Sequence, residues 1–237
     1  MCLIALAHRA SDDFPFVLAA NRDEDYDRPT IAAGYWSDAP QILGGRDALL
    51  GGSWLAITRL GRFAAVTNLR GSERAAQNRS RGELVREFVM GSATPLQYGE
   101  DVERRIHQYT GFHLLVGEIG GDVVQVSGSA QRLEPGIHAL SNAPNGEQWP
   151  KVEAALEEMR RQEWRSSTDI VASLLQFLQS GRSGDPRNDP FLIGEQYGTR
   201  SSTIIVASRE EVLFVEQNYE KGGEEGARSI RAYDRRP

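Results

Sequence analysis

Cysteine occurs once in the 237 residues, at Cys2, and lysine only at Lys151 and Lys221. A single thiol cannot close a disulfide within the chain, and it removes any thiolate cluster for a metal. The four histidines, His8, His107, His113 and His138, show no metal-ligand spacing, so no metal site is expected. No Walker loop, G-x-G-x-x-G or G-x-S-x-G segment is present, which leaves phosphate cradles and a serine elbow unsupported. Apolar runs fall short of the roughly 20 residues of a membrane span. No charged-then-apolar leader precedes the first strand, so the expected compartment is the cytoplasm, and Asn78-Arg79-Ser80 carries no meaning as a glycosylation pattern. The net charge of -6 lacks the concentrated positive charge that a nucleic-acid partner demands. Nearly all positive charge is arginine, which fits a GC-rich coding bias as readily as a need for planar anion contacts.

What is there reads as a globular chain, 40% hydrophobic and 25% charged, of a length suited to one domain over residues 1–237, with the tail after about 220 set apart. Cys2 to His8 and Pro15 to Ala20 read as two short buried strands joined by a polar turn. Residues 23–53, rich in Asp, Gly and Pro, read as a long irregular excursion. Strands are expected at Trp54–Thr58, Arg62–Leu69, Phe112–Glu118, Val123–Ser127, Ile137–Ser141, Thr203–Ala207 and Val212–Val215, with an edge strand near Ser229–Tyr233. Helices are expected over Arg81–Met90, from Pro95 behind the N-cap Thr94, over Trp149–Arg161, and around Ile170–Leu178. Residues 181–198 read as a loop whose apolar patch Phe191-Leu192-Ile193 lies across a pocket as a lid. This order supports an α+β fold.

The chemistry concentrates at the first residues. If the initiator methionine is removed, Cys2 carries a thiol and a free α-amino group on one residue. A thiol near 8.5 and an α-amine near 7.7–8.0 both lie within reach of neutral pH, so the amine can take the thiol proton and later deliver it to a leaving amine. Retained Met1 would exclude that base. Arg22, folded back near the sulfur, would favour a thiolate. Taken alone, each of these residues also has an ordinary reading. Cys2 fits a small apolar strand position, Arg22 and Asp23 a solvated turn, and Asn68 and Asn142 turn formers at strand ends.

The segments Asn21-Arg22-Asp23-Glu24, Leu43-Gly44-Gly45-Arg46-Asp47, Gly51-Gly52-Ser53-Trp54-Leu55, Ala65-Val66-Thr67-Asn68, Leu140-Ser141-Asn142-Ala143, Trp149-Pro150-Lys151 and Tyr197-Gly198-Thr199-Arg200-Ser201-Ser202-Thr203 appear in one order along the chain. With the Met-Cys start, they resemble the NRDE family, also called the transport and Golgi organisation family. That family is similar to cysteine-type N-terminal-nucleophile (Ntn) hydrolases. The resemblance implies a four-layer αββα sandwich and a catalytic set of Cys2, Arg22, Asp23, Asn68, Asn142 and Arg200. In that set Arg22 sits beside the thiol, Asp23 holds the α-amine, and Asn68 and Asn142 bind the oxyanion or orient the amine. Glu24 would pair with Arg46 or Arg200.

Two functions follow as expectations. One is an amidase or acyltransferase acting on a small non-peptide amide or an acyl donor, with no cofactor. The other is a haem or acyl-lipid carrier on the same fold, for which Cys2, His8 and His113 are the available haem ligands.

Overall fold

The computed structural model describes residues 2–72, 79–144, 146–181 and 183–235. Met1, expected to be removed, and Asn78 of the glycosylation pattern lie outside the described residues. The chain divides into two compact units, Met1–Arg28 with Pro135–Pro237, and Pro29–Glu134. Among the described residues no helix is long and apolar enough to cross a membrane.

The chain begins with β1 (Leu3–His8) and β2 (Phe16–Asp25) and continues through β3 (Thr30–Trp36), β4 (Ala39–Asp47), β5 (Leu55–Thr58) and β6 (Arg62–Asn68). Helices α1 (Arg81–Met90) and α2 (Pro95–Arg104) follow, then β7 (Phe112–Glu118), β8 (Val123–Val126), β9 (Ala130–Arg132) and β10 (Gly136–Ser141). Helices α3 (Pro150–Arg161) and α4 (Ser167–Leu178) precede β11 (Tyr197–Ala207), β12 (Glu211–Tyr219) and β13 (Glu225–Asp234).

In the first unit the strands lie in the order β10-β1-β2-β11-β12-β13, all antiparallel. The expected β1–β2 hairpin is present, with Leu3 opposite Asn21 and His8 opposite Phe16. On its other side β1 pairs with β10, Leu3 opposite Ser141. Helices α3 and α4 cover one face of this sheet: Leu3, Ala5, Val17, Ala19, Ile204 and Val206 pack with Val152, Met159, Leu174 and Leu178. Full burial of a leucine such as Leu3 or Leu174 contributes roughly 1.5–3 kcal/mol. Ser166 caps α4 by accepting the Asp169 amide at 3.1 Å, as a serine just ahead of an apolar helical stripe should.

The second unit is a seven-stranded antiparallel sheet in the order β3-β4-β5-β6-β7-β8-β9, with α1 and α2 on one face. Thr94 and Gln97 form the reciprocal cap ahead of Pro95, as the sequence implies. The α-helix ends at Arg104, and Ile106–Gln108 continue as one 3-10 turn. Each unit is thus one sheet with a helical layer, the α+β class.

Three expectations are corrected. Residues 23–53 are not irregular, since β2 runs on to Asp25 and β3 and β4 form a hairpin. The glycines that read as loop punctuation are strand positions where something packs tightly. A Cβ on Gly44 would lie 2.5 Å from Leu55 O, and one on Gly45 would strike the Trp54 ring. β11 begins at Tyr197, six residues before the apolar run that signals it, because its first half carries polar side chains held by neighbouring groups. The lid is absent as such: Phe191 is 4% exposed and packs edge-to-face on Tyr219 with ring centroids 4.7 Å apart, leaving only Ile193 outside.

Candidate active site

Strand alternation decides which side chains meet. Because Leu3, Ala19 and Ile204 face the helices, Cys2, Arg22 and Ser201 fall on the opposite face of the first unit's sheet. The register pairs Arg22 with Ser201. One step beyond the Leu3–Asn21 and Leu3–Ser141 pairs, Cys2 stands between Arg22 on β2 and Asn142 just past β10. Four elements thus carry Asn142, Cys2, Arg22 and Ser201 in one row across the sheet end.

Cys2 is half-buried and its thiol is free. Arg22 is 6% exposed. Burial lowers its guanidinium pKa from the ordinary value, Glu24 and Cys2 act to raise it, and Arg200 and Arg28 add to the lowering. Arg22 and the Cys2 thiol are therefore electrostatic neighbours. Glu24 makes ion pairs with Arg22 at 3.6 Å and Arg28 at 3.7 Å. This corrects the expected pairing with Arg46 or Arg200, and Arg46 instead binds Asp38 at 2.6 Å. Glu24 follows Arg22 by two residues on one strand, so both side chains project on the same side.

Asp23 is 3% exposed and held from several directions. Thr199 Oγ1 donates to its Oδ1 at 2.7 Å, and Tyr197 Oη donates to its carbonyl at 2.9 Å. Asn142 is 3% exposed, its Oδ1 has no hydrogen-bond partner among the described residues, and the turn behind it is held by Ala143 N donating to Ser141 Oγ at 3.2 Å. Arg200 sits at the β11 irregularity between Thr199 and Ser201. Its Nη1 donates to the carbonyls of Asp25 and Tyr26 at 2.9 and 2.8 Å, so its guanidinium clamps the end of β2. Asn68 ends β6 of the second unit, exposed and opposite Phe112.

Three contributors were not singled out from the sequence. Asn21 is a staple: its Nδ2 donates to Leu178 O and Pro190 O, both at 2.8 Å, and its Oδ1 accepts from Ser202 Oγ at 2.6 Å. Thr199 fixes Asp23, and Ser201 brings a buried hydroxyl to the row. A polar residue inside an apolar strand pattern was the available signal for Asn21. Nothing local marks Thr199 or Ser201, because each takes its place from β2, far away in sequence, Thr199 opposite Asp23 and Ser201 opposite Arg22.

The three residues expected as haem ligands are dispersed over the fold, Cys2 just before β1, His8 at its end and His113 on β7. His8 is fully buried at the far end of β1 from Cys2, roughly 20 Å along an extended strand. His113, in the second unit, has its Nδ1 2.6 Å from Ser127 Oγ. Among the described residues no cluster of three His, Cys, Asp or Glu could hold a metal ion.

The family model described as Transport and Golgi organisation 2 matches residues 1–221. The human transport and Golgi organization protein 2 homolog is 32% identical over 241 residues, spanning 86% of this chain and 87% of that protein. The mouse homolog is 30% identical with the same coverage. Among solved structures, a Caenorhabditis elegans ortholog of N-acylethanolamine-hydrolyzing acid amidase superposes with a TM-score of 0.52 at 15% identity, over 86% of this chain and 92% of its own. The C2A mutant of conjugated bile acid hydrolase from Clostridium perfringens gives a TM-score of 0.55 at 10% identity, over 99% and 92%. At these identities the likeness shows the fold, that of the Ntn hydrolases.

Proposed function

This chain belongs to the transport and Golgi organisation 2 family, and on that premise we propose that it is an N-terminal-nucleophile amidase or acyltransferase acting on a small non-peptide amide. The observation that carries this reading is the row at the sheet end, where a half-buried Cys2 stands between Arg22 and Asn142. Two structural neighbours at low identity are named as an N-acylethanolamine-hydrolyzing acid amidase ortholog and a conjugated bile acid hydrolase, which supports a hydrolytic reading.

With Met1 removed, the Cys2 amine accepts the thiol proton and the sulfur attacks the amide carbonyl, forming the C–S bond. Collapse breaks the C–N bond, and the leaving amine takes the proton from the Cys2 ammonium. The acyl-thioester then passes its acyl group to water, or to an acceptor amine or alcohol, with the terminal amine again acting as base. Arg22 supplies positive charge beside the sulfur. Asn142 is the proposed oxyanion or amine-orienting group, a role in which one well-aimed donor is worth on the order of 10²–10³ in rate. Asp23 orients the terminal amine, and Arg200 holds the end of β2 that carries Arg22 and Asp23.

The test is intact-mass analysis of the native protein before and after a cysteine-directed electrophile. The expected mass lacks Met1 and shifts by one label, and Cys2→Ser abolishes the shift. Retained Met1 overturns the terminal-amine mechanism.

A further inference from the structure

The two serines of Arg200-Ser201-Ser202-Thr203 are both buried, yet only one is used by the protein. Ser202, 0% exposed on the helix side, donates to Asn21 Oδ1 at 2.6 Å and accepts from Tyr219 Oη at 3.1 Å. Ser201, 2% exposed on the Cys2 side, has an Oγ with no hydrogen-bond partner among the described residues. An unpaired buried hydroxyl costs about 1–3 kcal/mol, so a strand position that keeps one calls for a reason.

Its neighbours in the row supply it. Arg22, directly opposite on β2, offers only N–H donors and cannot accept the Ser201 proton. Asn218, opposite on β12, sends its Nδ2 outward to Ala227 O at 3.1 Å. Within the row Arg22 and Ser201 therefore stand as adjacent donors, whereas Asn142 Oδ1 is an unpaired acceptor on the other side of Cys2. Neighbouring strands lie about 4.8 Å apart, so Ser201 stands roughly 10 Å from Cys2 along the row. That is the reach of a medium-length acyl chain extending from a carbonyl at the sulfur.

We propose that Ser201 is a specificity-determining residue of this site, donating from Oγ to an oxygen acceptor on the acyl arm of the amide that Cys2 attacks. The substrate class is an N-acyl amine whose acyl arm is oxygenated by a carbonyl, hydroxyl, ester or carboxylate. This inference rests on the amide-hydrolase reading above.

The test is calorimetric binding of three probes that differ only at the far end of the acyl arm: N-ethyloctanamide, methyl N-ethylsuberamate and N-ethylsuberamate. It uses the full chain carrying Cys2→Ala, so that no probe turns over. At least one oxygenated probe should bind about three- to thirtyfold more tightly than N-ethyloctanamide. A gain shared by ester and acid assigns a neutral carbonyl acceptor, and a gain confined to the acid assigns a carboxylate. Ser201→Ala should erase the gain while leaving N-ethyloctanamide affinity unchanged and raising the melting temperature, since the unpaired hydroxyl is gone, and Ser201→Thr should keep part of the gain. A gain undiminished in Ser201→Ala overturns the proposal. So does a protein with native Ser201 that shows no preference, including no binding of any probe. Failure of the amide-hydrolase reading is seen separately, as absent labelling or turnover in the Cys2 chain while the Ser201-dependent preference persists.

Discussion

The Thr199 hydroxyl donates to Asp23 Oδ1 at 2.7 Å, and the same Oγ1 accepts the Leu192 amide at 2.9 Å. One side chain thus ties the second strand of the hairpin to the strand that returns almost the whole chain later, and to the loop between. Asp23 can hold a terminal amine only if its own carboxylate is held, and Thr199 is the group that does this from the neighbouring strand.

Thr199→Val keeps the shape and removes the donor, leaving a buried carboxylate oxygen and the Leu192 amide short of a partner. Stability should fall by about 1–3 kcal/mol, read from urea unfolding, and turnover should fall with it. Thr199→Ser should recover most of both. Asp23→Asn, in contrast, keeps an oxygen to accept the Thr199 hydroxyl, so stability should be nearly unchanged. Turnover should drop about 10²-fold, the cost of a misplaced catalytic group. Full turnover in Asp23→Asn would leave Asp23 a structural residue of β2 rather than a catalytic one.

Asn21→Ala should destabilise by about 3 kcal/mol, because the carbonyls of Leu178 and Pro190 and the Ser202 hydroxyl lose their partner together. Asn21→Asp should be worse at neutral pH, since it sets a carboxylate against two carbonyl oxygens. Thermal unfolding of both variants distinguishes a staple from a catalytic group. If either variant unfolds like the unsubstituted chain, the staple role is wrong.

Arg22→Met removes the buried guanidinium beside Cys2 while keeping comparable bulk. Labelling of Cys2 by iodoacetamide should slow several-fold at fixed pH, and the slowing should be smaller at high salt, where screening already weakens the charge. Equal labelling rates for both proteins would show that Arg22 does not act on the sulfur.

In the second unit, Glu87 accepts from Arg79 at 2.6 Å and from Arg105 at 2.7 Å. Burial pushes its carboxyl pKa up, but Arg105 and Arg79 outweigh it and hold the value below the ordinary 4.5. A lowered folded value means stability that is present above the unfolded pKa and lost as pH falls through the folded one. Glu87→Gln should therefore lower the melting temperature near neutral pH by the equivalent of about 1 kcal/mol, after allowance for solvent screening. The difference from the unsubstituted chain should close as pH falls below the glutamate range. A difference independent of pH would assign the effect to packing.

Much of the fold could be read from local signals. The β1 and β2 runs, the Thr94-Pro95 cap and the apolar stripe of α4 depend on neighbours a few residues apart, and residues that near impose their preference whatever the rest of the chain does. Cys2 likewise stands out locally, as the single cysteine of the sequence just ahead of the β1 run. Tertiary structure decided what depends on register. Gly44 and Gly45 are strand residues only because β5 and Trp54 press against them, and Glu24 chooses Arg22 and Arg28 over Arg46 only once the strand direction is set. Ser201 and Ser202 are the clearest case: identical and adjacent, they differ in role because alternation sends one to the helices, where Asn21 and Tyr219 engage it, and the other to the Cys2 face. No pattern within the sequence distinguishes them, since the face each side chain takes is set by pairing with a strand about 180 residues earlier.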